Sequence, residues 1–347
     1  MKSGNPLFST AEPYSLLKGK PPSSPKAALK EIREAVTRLA DGGVTSVLWK
    51  VAICGKSLYH TAVATRFDGD NGASGRALAA ALAGTDVLAA ACDACRHARL
   101  EILLAVRPFD DYFPSLGSRF EAAHRHMLWE SRDREFALRG VLSLAYPEAA
   151  AYRLEIVEEL LAYDAAGIVI DVESNAAAMT PFRRRDFFGY EAPVAEAHRK
   201  AYGEDIAAFD GVEYRRASDL QIVDAVFAGG DFNREGWHSV KGSFFADFMK
   251  KAAALAKSKG KRLGLSRGRE EGVLPMARMA VPADEFLRER VIDDLLLPRG
   301  AGQDRELSVY LSARPQGGRV ASGMDSDEAD CRILSPAAAQ NRGQNQR

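Results

Sequence analysis

Residues 161–175, LAYDAAGIVIDVESN, place two acids, Asp171 and Glu173, at the end of an apolar run. Alternate residues of a strand share a face, with Cα atoms about 6.7 Å apart, so both carboxylates project the same way. At the carboxyl end of a buried parallel strand such a pair is hard to explain as packing. That end is where alternating α/β barrels carry their catalytic groups. Two neighbouring carboxyl groups are also what cleavage of a glycosidic bond requires: one protonates the leaving oxygen, and the other attacks or activates water. Asp171 and Glu173 are therefore the candidate catalytic residues. The alternative is a pair of strand-end acids held by lysine or arginine for stability.

Further polar groups are expected at the same end. Asp110 and Asp111 follow the apolar run that closes at Arg107, Glu12 follows the first predicted strand, and Glu270 follows Arg267 and Arg269. A barrel brings the ends of non-adjacent strands together, so Arg107, Asp110, Glu12, Arg267 and Glu270 are candidate substrate-binding residues. The segment after Glu173 is rich in arginine and aromatic residues, from Phe182 to Tyr190, and then supplies Trp237 and His238. Leaving the carboxyl-terminal face, it can roof a pocket, with Tyr190, Trp237 and His238 against the substrate and the rings offering flat apolar faces to sugars. The same residues suit the small core of an inserted element. Adjacent Asp293 and Asp294 face opposite sides of a strand, so one at most points inward and must be paired or protonated.

These groups need elements to position them, and helix and strand patterns alternate throughout. Ser24-Pro25 is a helix start, Leu29, Ile32, Val36 and Leu39 form its stripe, and Gly42-Gly43 end it. Strands are predicted over residues 5–9, 44–52, 100–107, 140–145, 167–173, 262–266, 291–297 and 318–322, with helices over 75–96, 147–161, 241–259, 283–290 and 306–313. Eight strands with near-continuous apolar runs predict an α/β fold, a (β/α)8 TIM-type barrel over residues 1–324. A long βα insertion, residues 174–240, follows the fifth strand and covers the barrel mouth; residues 325–347 read as a disordered tail. A doubly wound open sheet is the rival, but no glycine fingerprint for a nucleotide follows any strand.

Composition narrows the partners. The chain of 347 residues is 46% hydrophobic and carries 47 basic and 47 acidic residues, so no bulk charge draws it to nucleic acid or an anionic membrane. No signal-peptide core or bilayer-length apolar run is present, and the default expectation is a soluble cytoplasmic protein. Cys92-x-x-Cys95 sits in an alanine-rich predicted helix without a second pair, which suits packing rather than zinc. The histidines show no metal-ligand spacing with acids, so neither metal nor cofactor is expected. The expected partner is a carbohydrate; the oligomeric state stays open.

Several stretches together resemble uncharacterised glycoside-hydrolase-like barrel proteins, the "family 10 glycosylhydrolase-like" group. LSLAYPEAAAYRLEIVEELLAYDAAGIVIDVES resembles its strand, Pro-Glu helix start and Gly-Ile turn into a strand ending in Asp. RPFDDYF resembles its Arg-Met-Asn-Asp loop; FFGYEAPVAEAHRKAYGEDI, WHSVKGSFFADFMKKA and VPADEFLRERVIDDLLLP resemble its later helices and a strand, in order over residues 5–323. Two positions depart from the pattern: Ala166 stands where the group has an Asp before the turn, and Ser174 where it has an Arg. The strand is also similar to the Asp-Gly-x-Asp-x-Asp-x-Glu strand of family 18 chitinases, with Asp171 and Glu173 as its last two acids and Ala166 and Val169 in place of the first two. The resemblance implies a glycoside hydrolase with Asp171 as nucleophile or stabiliser. Glu173 would be the acid, protonated through burial and its neighbour's charge. A non-catalytic carbohydrate-binding barrel and a metal-dependent hydrolase are the alternatives.

Overall fold

A computed structural model describes residues 7–11, 24–53, 55–69, 72–111, 118–174, 186–207, 212–216, 223–227, 232–266, 277–298, 319–324 and 331–333. In chain order the elements are β1 (Leu7–Ala11), α1 (Pro25–Asp41), β2 (Ser46–Lys50), the short β3 (Ala52–Ile53) and β4 (Lys56–Ser57), α2 (Gly72–Gly84), α3 (Val87–His97), β5 (Glu101–Val106), α4 (Arg119–Ala123), β6 (Leu128–Glu130), β7 (Ala137–Leu142), α5 (Pro147–Leu160), β8 (Gly167–Asp171), α6 (Ala192–Tyr202), β9 (Val212–Arg216), β10 (Val223–Phe227), α7 (Arg234–Ser258), β11 (Arg262–Ser266), α8 (Ala283–Arg288), β12 (Asp294–Pro298), β13 (Arg319–Met324) and β14 (Cys331–Ile333). Local signals set many of these boundaries. Ser24 caps α1 by accepting from Ala27 N at 3.2 Å, and Ala28, Ile32, Ala35 and Val36 form its buried stripe. The single helix expected over 75–96 is two, because Asp86 accepts from Leu88 N and Ala89 N and so starts α3 afresh.

The main sheet is curled, with neighbours in the order β1, β2, β5, β8, β11, β12, β13, all parallel. Short β14 lies antiparallel to both β13 and β1 and completes the ring. This differs from the expected eight parallel strands in two places. The run 140–145 does not join the ring: β5 pairs directly with β8, Leu103 opposite Gly167, and β7 forms an antiparallel pair with β6. Ala137 and Arg139 are exposed on either side of buried Leu138, so the first half of this strand has one solvent face, while residues 140–142 are buried. The eighth position is filled instead by Cys331–Ile333, inside the segment read as a tail. The insertion after β8 thus follows the fourth ring strand in chain order, not the fifth, and its described part holds α6, β9, β10 and the first turns of α7.

Strand alternation divides the core in two. Leu48, Leu103, Ala105, Val169 and Leu296 form a small cluster inside the sheet's curl. Their neighbours Val47, Trp49, Ile102, Leu104, Ile168, Ile170, Leu263 and Leu265 join the larger cluster under the helices. Residues in register with the inner set, Lys50, Arg107 and Asp171, therefore face inward where the strands end. Among the described residues no single helix is long and apolar enough to cross a membrane.

Candidate active site

The carboxyl ends of β2, β5 and β8 lie side by side, and their last inward residues meet. Arg107 Nε donates to Asp171 Oδ2 at 2.9 Å, and its terminal nitrogen lies 3.5 Å from Glu173 Oε2. The side chains of Arg107 and Asp171 are 14% and 10% exposed, while that of Glu173 is 50% exposed. Burial works against the charge on Arg107, but the fields of Asp171, Asp110 and Glu173 outweigh it and raise its pKa above the ordinary guanidinium value. Both carboxylates thus lie against one cation, although the strand ends at Asp171, whose Oδ1 accepts from Glu173 N at 3.3 Å, so the spacing along a strand is not what brings them together. The apolar burial expected around Glu173 is not there.

A second, more deeply buried layer fixes this group. Residues 109–111, following β5, lie along β7: Leu142 N donates to Phe109 O and Asp111 N to Gly140 O, both at 2.9 Å. This holds Asp110 and Asp111, 3% and 0% exposed, beneath the strand ends. Arg153 of α5 donates to Asp111 Oδ1 at 3.0 Å and to the Asp110 carbonyl at 2.5 Å, and Ser118 Oγ donates to Asp111. Ser174 Oγ donates to the Asp110 carboxylate. Hence Ser174, standing where the resembling group has an arginine, is tied to Asp110. Ala166 is at the other end of β8, about 17 Å from Asp171 along five residues of strand, and packs on the inner apolar cluster. Its departure from the group's pattern does not reach the acids.

A cleft of about 530 Å³ opens here, walled by Lys50, Arg107, Asp110, Arg153 and Asp171, with apolar sides from Val51, Val106 and Ile156. The arrangement offers carboxylate oxygens as bases or nucleophiles and several cationic donors that suit hydroxyl or anionic oxygens. Among the described residues, no three His, Cys, Asp or Glu side chains group as a metal site.

Of the residues singled out in the sequence, Arg107, Asp110, Asp171 and Glu173 come together. Glu12, Arg267 and Glu270 lie outside the described residues. Tyr190 and Trp237 do not line the cleft: they are 2% and 0% exposed, 4.7 Å apart between ring centroids, in a separate core with Ala145, Val194, Ile206 and Val240. Trp237 Nε1 donates to Gly189 O at 2.9 Å, which satisfies the indole in place of a ligand. His238 Nε2 lies 3.0 Å from Asp186 Oδ1. Burial pushes the Cys92 and Cys95 thiols up to about 12, in keeping with inert packing. The sequence reading passed over Lys50 and Arg153. A lysine ending the apolar run SVLWK in register with Leu48, and an arginine on the buried stripe of α5, were the signals for them.

No protein-family model matches the chain, and no curated protein does. Solved structures do share its fold. The glycoside hydrolase domain of PgaB (BpsB) from Bordetella bronchiseptica aligns with a TM-score of 0.54 at 12% identity, over 89% of this chain and 80% of that one. A β-galactosidase from the psychrophilic Marinomonas ef1 aligns with a TM-score of 0.50 at 14% identity, over 84% of this chain; the alignment spans only 40% of that enzyme. At these identities the likeness is one of fold, and the fold is glycoside-hydrolase-like.

Proposed function

We propose that the protein is a glycoside hydrolase that holds a carbohydrate at the carboxyl ends of β2, β5 and β8, within the barrel group named above. The observation that carries this reading is the Asp171–Arg107–Glu173 cluster facing a cleft at the strand ends. Asp171, fixed by Arg107, is the nucleophile or charge stabiliser beneath the sugar. Glu173, half-exposed at the rim beside Arg107, serves as the acid toward the glycosidic oxygen. Lys50 and Arg107 supply donors to sugar hydroxyls. Asp171→Asn and Glu173→Gln keep shape and hydrogen bonding while removing charge. On a panel of nitrophenyl glycosides and soluble polysaccharides, each is expected to fold normally and lose about a hundred- to ten-thousandfold in turnover. Full turnover in both variants would end the assignment.

One observation favours a second reading, a carbohydrate-binding barrel without turnover. Arg107 spans both carboxylates, and an arginine bridge also suits purely polar recognition of a sugar. In that case the wild type retains an oligosaccharide in affinity electrophoresis without shortening it, and Asp171→Asn weakens retention.

A further inference from the structure

A second cavity lies apart from the cleft and shares no lining residue with it. Its wall is apolar, formed by Phe109, Trp129, Phe244, Phe245 and Met279, yet Lys241 of α7 and Glu191, just before α6, both face it. They are 9% and 1% exposed. Neither Lys241 Nζ nor Glu191 Oε2 has a hydrogen-bond partner among the described residues. A buried amine without a partner, and a buried carboxyl bonded by Ser143 yet with its other oxygen unpaired, each cost free energy that an ordinary core would avoid.

The backbone is shaped around this lysine. Gly189 has φ +107°, and a Cβ there would lie 2.8 Å from Lys241 Cδ and 3.0 Å from its Nζ. A side chain at 189 is thus barred by conformation and by the amine itself. At Gly242 a Cβ would strike the Ala280 carbonyl oxygen at 2.0 Å, so the next residue of α7 is held hard against the loop that carries Met279. The amine lies 3.6 Å from the centroid of the Trp237 ring.

We infer that this cavity binds a small neutral carbonyl compound with an apolar or aromatic body, and that Lys241 Nζ forms an imine with it. The charges that act on Lys241 favour a neutral ligand: Asp186 is the acid acting on the amine, and Glu191, protonated at neutrality, adds no cation that could hold an anion. Arg278 is the opposing cation, and His238 is hydrogen-bonded to Asp186. Burial lowers Lys241 to about 8, against the pull of Asp186 and Glu191 and with the help of Arg278, so much of the amine is unprotonated near that pH. Burial likewise raises Glu191 to about 8, which keeps a proton on it at neutrality. The step balances as one amine plus one carbonyl giving one imine plus one water. The nitrogen lone pair bonds to the carbonyl carbon, and the oxygen takes one proton from Glu191 and one from the nitrogen and leaves as water; the nitrogen's second proton returns to Glu191.

The test treats the intact chain at pH 8 with benzaldehyde and sodium cyanoborohydride, which reduces the imine to a stable benzylamine, and maps the label by peptide mass spectrometry. Lys250 and Lys251, exposed on the same helix, are the internal standards. Lys241 is expected to be labelled at least about tenfold faster, since an ordinary lysine at pH 8 is under about 1% unprotonated. Glu191→Gln should slow labelling at Lys241 several-fold and leave Lys250 unchanged. An unlabelled Lys241 beside labelled Lys250 and Lys251 would overturn the site. Faster labelling of Lys241 by glyoxylate than by benzaldehyde would overturn the neutral class, and an unchanged rate in Glu191→Gln would remove Glu191 as the acid.

Discussion

The sheet carries an arginine–carboxylate cluster at each end, and the two are built differently. At the amino ends of the strands, Arg262 lies 2.5 Å from Glu101 and 3.6 Å from Asp294, with Ser46 Oγ donating to Glu101 at 3.1 Å. At the carboxyl ends, Arg107 holds Asp171 and Glu173. The amino-end group links β2, β5, β11 and β12 across the curl, and its members are fixed by neighbouring strands in register. The carboxyl-end group rests on loops, borders a cleft, and leaves Glu173 half in solvent. Ion pairs alone therefore do not mark a site. What marks it is charge held at one side and open at the other, over a buried layer that keeps it in place.

The largest expected effect breaks that buried layer. Arg153 and Asp111 have side chains 4% and 0% exposed. Asp111→Ala leaves a buried guanidinium unpaired and is expected to lower stability by about 3–5 kcal/mol in urea unfolding. A loss below about 1 kcal/mol would mean that water reaches Arg153 and that the cluster above it is not rigidly held.

Next is the pH response of the second cavity, which neither end of the sheet shares. Glu191 has its pKa raised from 4.5 to about 8, so its unfavourable ionisation erodes stability as pH rises from about 4.5 to 8. Lys241 has its pKa lowered from 10.5 to about 8, so stability lost to its buried charge returns as pH rises from about 8 to 10.5. Together they give a stability minimum near pH 8, with limbs on the order of a few kcal/mol. Glu191→Gln should flatten the acid limb relative to wild type and Lys241→Met the alkaline one. Variants parallel to wild type across both limbs would show that these groups are not buried as described.

At the amino end, Asp294→Ala removes one partner of the partly exposed Arg262 and is expected to lower stability by about 2 kcal/mol, with turnover per folded molecule unchanged. The smallest effect sets the baseline for both clusters. Arg288 and Asp284 pair at 2.7 Å on one exposed face of α8, and Arg288→Ala should leave the urea midpoint unchanged within experimental error.

Much of this was readable from residue order, and the failures have physical causes. The apolar runs of β2, β5, β8 and β11 are strong signals because both faces of a curled parallel sheet are buried, and Asp171 and Arg107 stand out at their ends. Of the adjacent aspartates, Asp294 is the inward one, and Arg262 pairs with it, as a buried acid requires. The run 140–145 misled because it is buried throughout and shares its Val and Leu content with a ring strand, and only the exposed Ala137 and Arg139 before it mark the hairpin. Tyr190 and Trp237 misled because an aromatic residue suits a sugar platform and a core equally, and that choice is made by α6 packing on α7 far along the chain. Lys241 stands on the apolar stripe of α7 with Trp237, Phe245 and Phe248, the same signal as Arg153, whereas Glu191 precedes its helix and no local pattern marks its burial.

The most direct measurement compares Arg107→Met with Arg262→Met, the same change at the two ends of one sheet. Carbohydrate turnover per folded molecule and the urea midpoint are read on both. Arg107→Met is predicted to lose at least about tenfold in turnover as Asp171 loses its anchor, while Arg262→Met loses stability with turnover within about twofold of wild type. Equal losses of turnover at the two ends, or full turnover in Arg107→Met, would contradict the assignment of the site to the carboxyl ends of the strands.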